Sequence, residues 1–375
     1  MSVFTAYFCG TGSHHFDDTN PSFWNGELVS TLASNDQGRE FAHWIAVDGP
    51  GSGNLQDDSL FVEPNGHFKW TGQLFGLGWE QNVGHVLQVI KGESSWQRTE
   101  LTETEYAQLK DAGVPIPDAA SAASWFWRTY SYGERHPTPQ ALQERIIDMF
   151  RTPRLPTQVN LVGWSRGGIS CHMLANAMAA DPVLCDIPVN IFAIDPVPGV
   201  GNVQAERITL AGNVREYVGF YARDERSKGF ACVIPIAEDG TRVSIFPLPG
   251  RHATLVGNAS VDGAGSGKVL IEPGLIVRHL AEVCLTRWGT ALDHRLALSD
   301  SQLMEHHLAM AACDEQYQAM RSVSYTVITE GDREDRLVHC GERLTRFSET
   351  RGDDYDPPEG LALTRWDGGT YQALR

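Results

Sequence analysis

The chain has no Cys-x-x-Cys pair, no internal repeat, no low-complexity tract and no apolar run near the ~18 residues that span a membrane. Without paired spacing, its seven scattered cysteines (Cys9, Cys171, Cys185, Cys232, Cys284, Cys313 and Cys340) suit neither a zinc ribbon nor a disulfide framework. Free buried thiols are expected instead. Positive charge is also scarce. Thirty Lys and Arg face 47 Asp and Glu, a formal net charge of −17, which repels nucleic acid and anionic membrane surfaces. A lipid held by apolar contacts in a pocket stays compatible with that charge. Residues Met1 to Phe8 alternate like a strand and lack a basic region followed by an apolar core, so no classical secretory signal is expected. Two nucleotide-binding patterns are incomplete. Gly76-Leu77-Gly78 does not extend to a dinucleotide fingerprint. Gly263 to Lys268 resembles a phosphate loop, but Asp262 stands where the first glycine belongs and Val269 where the Ser/Thr belongs.

What the chain does hold is 42% hydrophobic residues and ten tryptophans over 375 positions, enough for one large α/β domain or two ordinary ones. Its organising stretch is Thr157 to Ile169. Val159, Leu161 and Val162 read as a buried strand, and Ile169, Met173 and Ala177 as one face of a helix ending near Asp181-Pro182. Between them Gly163, Ser165 and Gly167 form G-x-S-x-G, the nucleophile elbow. A strand that reverses into a helix brings two backbones together, which is why the flanks are glycine, and it presents the Ser165 hydroxyl beside the helix N-terminus.

Other strands are expected at 3–8, Phe41–Val47, Val189–Val197, Val214–Tyr221 and Arg242–Pro247, with a helix carrying Val83, Val86, Leu87 and Ile90. Each strand end carries something notable. The first is followed by Gly10-Thr11-Gly12, which is either half of an oxyanion hole completed by the N–H of Arg166, or a plain tight turn. His14, His15, Asp17 and Asp18 lack the helical spacing of a metal site and read as a polar loop. Asp195 ends the fourth strand, Asp224 follows the fifth, and His252 follows the sixth. Ser, Asp and His thus occur in the order used by hydrolases with this elbow, each past a strand's C-terminal end. Either aspartate could serve as the acid.

Residues 93–136 interrupt the α/β rhythm with Trp96, Trp125, Phe126, Trp127, Tyr130 and Tyr132, as a lid or acyl-chain wall or as a helical cap. A helix is expected near Pro139–Phe150. Beyond 270 the pattern turns helical, at Leu275–Trp288 and Ser299–Met320. It ends in a charged, mixed tail from Tyr325, broken at Asp353 to Pro358. The expected fold is α/β-hydrolase-like: a mostly parallel central sheet with helices on both faces, plus a helical cap and C-terminal elements. Residues 1–270 form the catalytic domain and 271–375 an extension packed on it.

The motifs resemble the α/β-hydrolase domain of type VI secretion lipase effectors and their uncharacterised relatives. They are Cys9-Gly10-Thr11-Gly12-Ser13, Gly163-Trp164-Ser165-Arg166-Gly167-Gly168, Asp195-Pro196-Val197, Asp224-Glu225-Arg226-Ser227 with Phe230, and Phe246 to His252, in family order over residues 3 to 258. Cys9 replaces the family's aspartate, and the segment from Ala253 lacks its usual glycine-rich continuation. The resemblance implies a triad of Ser165, Asp195 and His252, with Asp224 as second choice of acid and expected to pair with Arg223 and Arg226. With the functional reading of the first loop, the oxyanion hole comes from Gly10, Thr11, Gly12 and Arg166, and such a mechanism needs neither metal nor cofactor. The resemblance further implies a lipase or phospholipase made in the cytoplasm and exported without a classical signal, with a secretion-machinery or immunity-protein partner. A soluble carboxylesterase and a catalytically inactive binding module on the same fold are the alternatives.

Overall fold

The computed structural model describes residues 2–50, 79–92, 101–102, 120–123, 128–131, 146–147, 149–258, 260, 270–323, 335–347 and 367–375. The expectations placed on 76–78, on 263–268, on 353–358, and on most of 93–136 and 139–150 lie outside them.

Six strands form the central sheet: Val3–Phe8 (β1), Trp44–Val47 (β2), Gln158–Trp164 (β3), Val189–Ile194 (β4), Val214–Ala222 (β5) and Arg242–Leu248 (β7). Cys232–Ile234 (β6) lies outside that sheet. The strand order is β7-β5-β4-β3-β1-β2, and every pairing is parallel. A strand covered on both faces is largely apolar rather than alternating, as in β4, which is buried at every position and has Asn190 as its one polar residue.

Helices Trp79–Lys91 (α2) and Arg166–Ala180 (α3) cover one face, where Val86, Ile90, Ile169 and Leu174 meet Phe4, Ala6, Leu161 and Ile191. Leu28–Ser34 (α1) and Glu272–Arg287 (α4) cover the other, where Leu28, Leu32, Ile276 and Leu280 meet Tyr7, Val162, Phe192 and Phe220. Each buried aliphatic or aromatic side chain contributes about 1.5–3 kcal/mol, so these two apolar layers hold the sheet.

Chain order reverses across β1. From it the chain goes first to β2 on one side and later to β3, β4, β5 and β7 on the other. The loops after β1 and β3 therefore lead to helices on opposite faces, and their meeting point is where open α/β sheets hold ligands.

Several elements differ from expectation. β2 starts at Trp44 because Phe41, at φ 63°, turns the chain and its N–H donates to the Trp44 carbonyl. The helix expected over Ser299–Met320 is two pieces. Asp300–Ala312 (α5) is capped by Ser299 and Gln302, and Asp314–Ala319 (α6) follows a break at Cys313. Helix α1, too short for an apolar period and capped by Glu27, lies outside the predicted set. In the C-terminal tail, Leu337–Cys340 (β8) pairs parallel with β6 and antiparallel with Arg343–Arg346 (β9). Of residues 93–136 the structure describes three short antiparallel strands, at Leu101–Thr102, Ala120–Ala123 and Arg128–Ser131, and the lid-or-cap reading of the rest lies outside the described residues. All seven cysteines are free. Five are buried, but Cys185 is exposed and Cys313 half-buried. No helix among the described residues is long and apolar enough to cross a membrane.

Candidate functional site

Ser165 occupies the turn between β3 and α3 at φ 58°, ψ −128°, a conformation costly for any residue with a Cβ. Its neighbours impose that conformation. The Ser165 N–H donates to the Ile194 carbonyl at 3.0 Å, and its own carbonyl accepts from Val197 at 3.1 Å. The flanking glycines are required by close approach. A Cβ on Gly163 would stand 2.3 Å from the Gly167 carbonyl oxygen, and one on Gly167 would stand 2.1 Å from that of Phe8. Strand β3, its return helix and the end of β1 are thus packed backbone to backbone. Ser165 sits at the helix N-cap, but its hydroxyl caps nothing.

Asp195 follows β4 and is fully buried at φ 43°, a second left-handed non-glycine residue beside the first. Its Oδ2 lies 2.6 Å from Nδ1 of His252, and its Oδ1 accepts from the Ala222 N–H at 3.0 Å. Arg336 grips the same carboxylate with both arms, Nη1 to Oδ1 at 2.5 Å and Nη2 to Oδ2 at 2.8 Å. Burial would push the Asp195 carboxyl up, but the Arg336 charge and the His252 contact outweigh it and hold it at about 2.

His252 begins a short 3-10 turn beyond β7, after Gly250 at φ 110°. The face of its ring lies against Trp164, centroids 4.9 Å apart, and Phe230 meets it edge-on at 5.1 Å. Its Nε2, the nitrogen opposite Asp195, is buried with no hydrogen-bond partner among the described residues. The turn is anchored by a second buried pair. Arg251 Nε lies 3.3 Å from Glu225 Oε2, and the same oxygen accepts from the His252 N–H at 3.3 Å.

Asp224 is placed differently. Fully buried, it accepts from the Gly250 N–H at 2.9 Å and binds Arg223 at 3.0 Å and Arg321 at 2.7 Å. It braces the turn that leads to His252 and makes no bond to the imidazole. Arg226, expected on Asp224, instead donates to the carbonyls of Arg223 and Glu225, and Arg321 from the C-terminal region takes its place.

The loop after β1 lies over the elbow. Thr11 Oγ1 accepts from the Arg166 side chain at 2.7 Å, tying the two glycine-rich turns together. The Gly12 amide is committed to the Pro50 carbonyl at 3.3 Å, so the loop amides without a partner among the described residues are those of Gly10 and Thr11. His14 and His15 are engaged locally with Asp17 and Asp48. Among the described residues no group of three or more His, Cys, Asp or Glu could hold a metal ion.

The structure therefore brings Asp195 and His252 together, packs the His252 ring on Trp164 next to Ser165 with no hydrogen bond from Nε2 to the Ser165 hydroxyl, and leaves Asp224 apart. Arg336 escaped sequence reasoning, since it stands 141 residues from its partner in an unpatterned, charged stretch.

No family model matches the chain, and no curated protein does. Among solved structures it is similar to an uncharacterized protein from Pseudomonas aeruginosa, with a TM-score of 0.46 and 14% identity, over 85% of this chain and 52% of that one. It is also similar to the Tle1 effector bound to the VgrG spike from the Type 6 secretion system, with a TM-score of 0.30 and 13% identity, over 68% of this chain and 50% of that one. The chain spans about half the length of each.

Proposed function

We propose that this chain is a serine hydrolase that cleaves carboxylic esters through an acyl-enzyme. The observation that carries the reading is the 2.6 Å contact from Asp195 Oδ2 to His252 Nδ1, which leaves Nε2 unpartnered on a ring packed against the residue before Ser165. His252 takes the Ser165 proton as Oγ attacks the ester carbonyl, because a neutral serine hydroxyl is a poor nucleophile. Asp195 fixes the imidazole tautomer and stabilises the imidazolium. The tetrahedral oxyanion is held by backbone amides of Gly10, Thr11 and Arg166, with Gly12 shaping the loop rather than donating. The intermediate collapses, the C–O bond to the leaving alkoxide breaks, and the imidazolium protonates that alkoxide. Water, deprotonated by His252, then attacks the acyl-Ser165 ester and frees the acid.

Purified wild type is expected to hydrolyse short p-nitrophenyl esters and to label with a fluorophosphonate probe, and Ser165→Ala to do neither. Equal rates for the two proteins would end the reading. An unlabelled, well-folded wild type would make the chain a binding module.

The narrower reading is a lipid ester as substrate, and a lipase or phospholipase effector exported without a classical signal with a secretion-machinery or immunity-protein partner. It rests on the motif resemblance. It calls for rates that rise with acyl length and on micelles. A preference for short soluble esters supports an ordinary carboxylesterase instead.

A further inference from the structure

We infer that Arg336 is a positioning residue for the Asp195–His252 pair, a guanidinium whose charge resists proton uptake by the pair and so extends the working range of His252 toward acid. The inference rests on the reading above, in which His252 is the base for Ser165.

Three observations carry it. The contact is a two-armed fork, at 2.5 and 2.8 Å, between side chains 1% and 0% exposed, so water screens it little. The same guanidinium donates to the carbonyls of Ala222 at 2.5 Å and Phe230 at 3.0 Å. It thus ties the acid to the end of β5 and to the residue whose ring meets the imidazole edge-on. Arg336 is also seated by its own backbone, immediately before β8, with its carbonyl accepting from the Phe347 N–H at 2.7 Å.

The surrounding charges leave this role to Arg336. Tyr217 of β5 and Cys232 of β6 face the pair as buried neutral groups, both pushed up, first by burial. Glu225 is bound by Arg251, Arg226 is turned to carbonyls, and Asp335 precedes Arg336 in the chain. Arg336 is the one Arg or Lys bonded to Asp195 among the described residues.

The competent pair is a carboxylate beside a neutral imidazole, and one proton on either member removes the base. Loss of the adjacent positive charge makes that proton easier to bind at both members, so the two effects add rather than cancel. A purely structural brace would lower the rate at every pH and leave the midpoint in place.

Arg336→Gln is compared with wild type for kcat/KM against pH on a short ester, with Arg336→Met as the apolar replacement should the Gln protein not fold. The acid limb is expected to move upward by roughly one to three pH units. In Arg336→Lys, which keeps the charge but not the fork, the limb stays within about half a unit while kcat falls. An unmoved limb with a uniformly lowered rate overturns the inference. A second readout needs no turnover. In the Ser165→Ala background, the imidazole NMR signal absent from His252→Gln is titrated twice, once with Arg336 intact and once with the Arg336→Gln change added. An unshifted midpoint overturns the inference whether or not the chain cleaves esters. A shifted midpoint in a protein that hydrolyses nothing retains the electrostatic role and sinks the hydrolase reading alone.

Discussion

The indole of Trp164 lies on the imidazole of His252, centroids 4.9 Å apart and planes inclined by 39°, and Gly10 fills the space beside the indole. A Cβ at Gly10 would stand 2.3 Å from that indole. Gly10→Ala is therefore expected to cost about 1–3 kcal/mol in urea unfolding, and to displace the ring that supports His252. Trp164→Phe should relieve the clash, so the double variant loses less than the sum of the two single changes. Strict additivity would contradict the contact.

The two candidate acids separate by substitution. Asp195→Asn should lower kcat by about 10⁴ through loss of imidazole orientation. It also strands the Arg336 charge in the interior and should destabilise by about 3–5 kcal/mol. Asp224→Asn loosens the turn before His252 and should lower stability, with kcat/KM per folded molecule changed less than about tenfold. A greater catalytic loss at Asp224 than at Asp195 would reverse the assignment.

Thr11 joins the two turns of the site through Arg166. Removing the acceptor in Thr11→Val deletes one charged hydrogen bond. A fall in kcat of about 10–100-fold is expected as the candidate oxyanion loop loosens, with KM little changed. Steady-state kinetics on one ester checks this, and an unchanged kcat would detach the loop from the chemistry.

Glu27 caps α1 from a fully buried position, accepting from the N–H groups of Val29 and Ser30. Burial pushes its carboxyl up to about 7 despite those bonds. A raised carboxyl favours folding below its unfolded value near 4.3, and that contribution is lost as pH rises through about 7. Urea midpoints at pH 5 and 8.5 should differ more in wild type than in Glu27→Gln. Equal differences in the two proteins would refute the assignment.

The elbow was legible because its cause is local. Val159, Leu161 and Val162 require a buried strand, and Gly163 and Gly167 answer contacts made within a few residues or with the adjacent strand. The parallel sheet followed from apolar runs such as Val189 to Ile194, which only a doubly covered strand can bury. The resemblance set Asp195 ahead of Asp224, but the residues alone left both open, since both follow strands and differ only in which way the carboxylate faces. Arg336 was hidden for the same reason, one arginine in a mixed stretch whose partner is chosen by the packing of β8 on β6. Helix α1 was missed because its seven residues span too few turns to show a period.

The distance in sequence between Asp195 and Arg336 bears on how the molecule is made. A ribosome that has released His252 has already supplied the serine, the carboxylate and the imidazole, yet the counter-ion of that carboxylate is still to be synthesised. Until Arg336 emerges and β8 docks on β6, the growing polypeptide carries an interior negative charge whose neutralising fork does not yet exist.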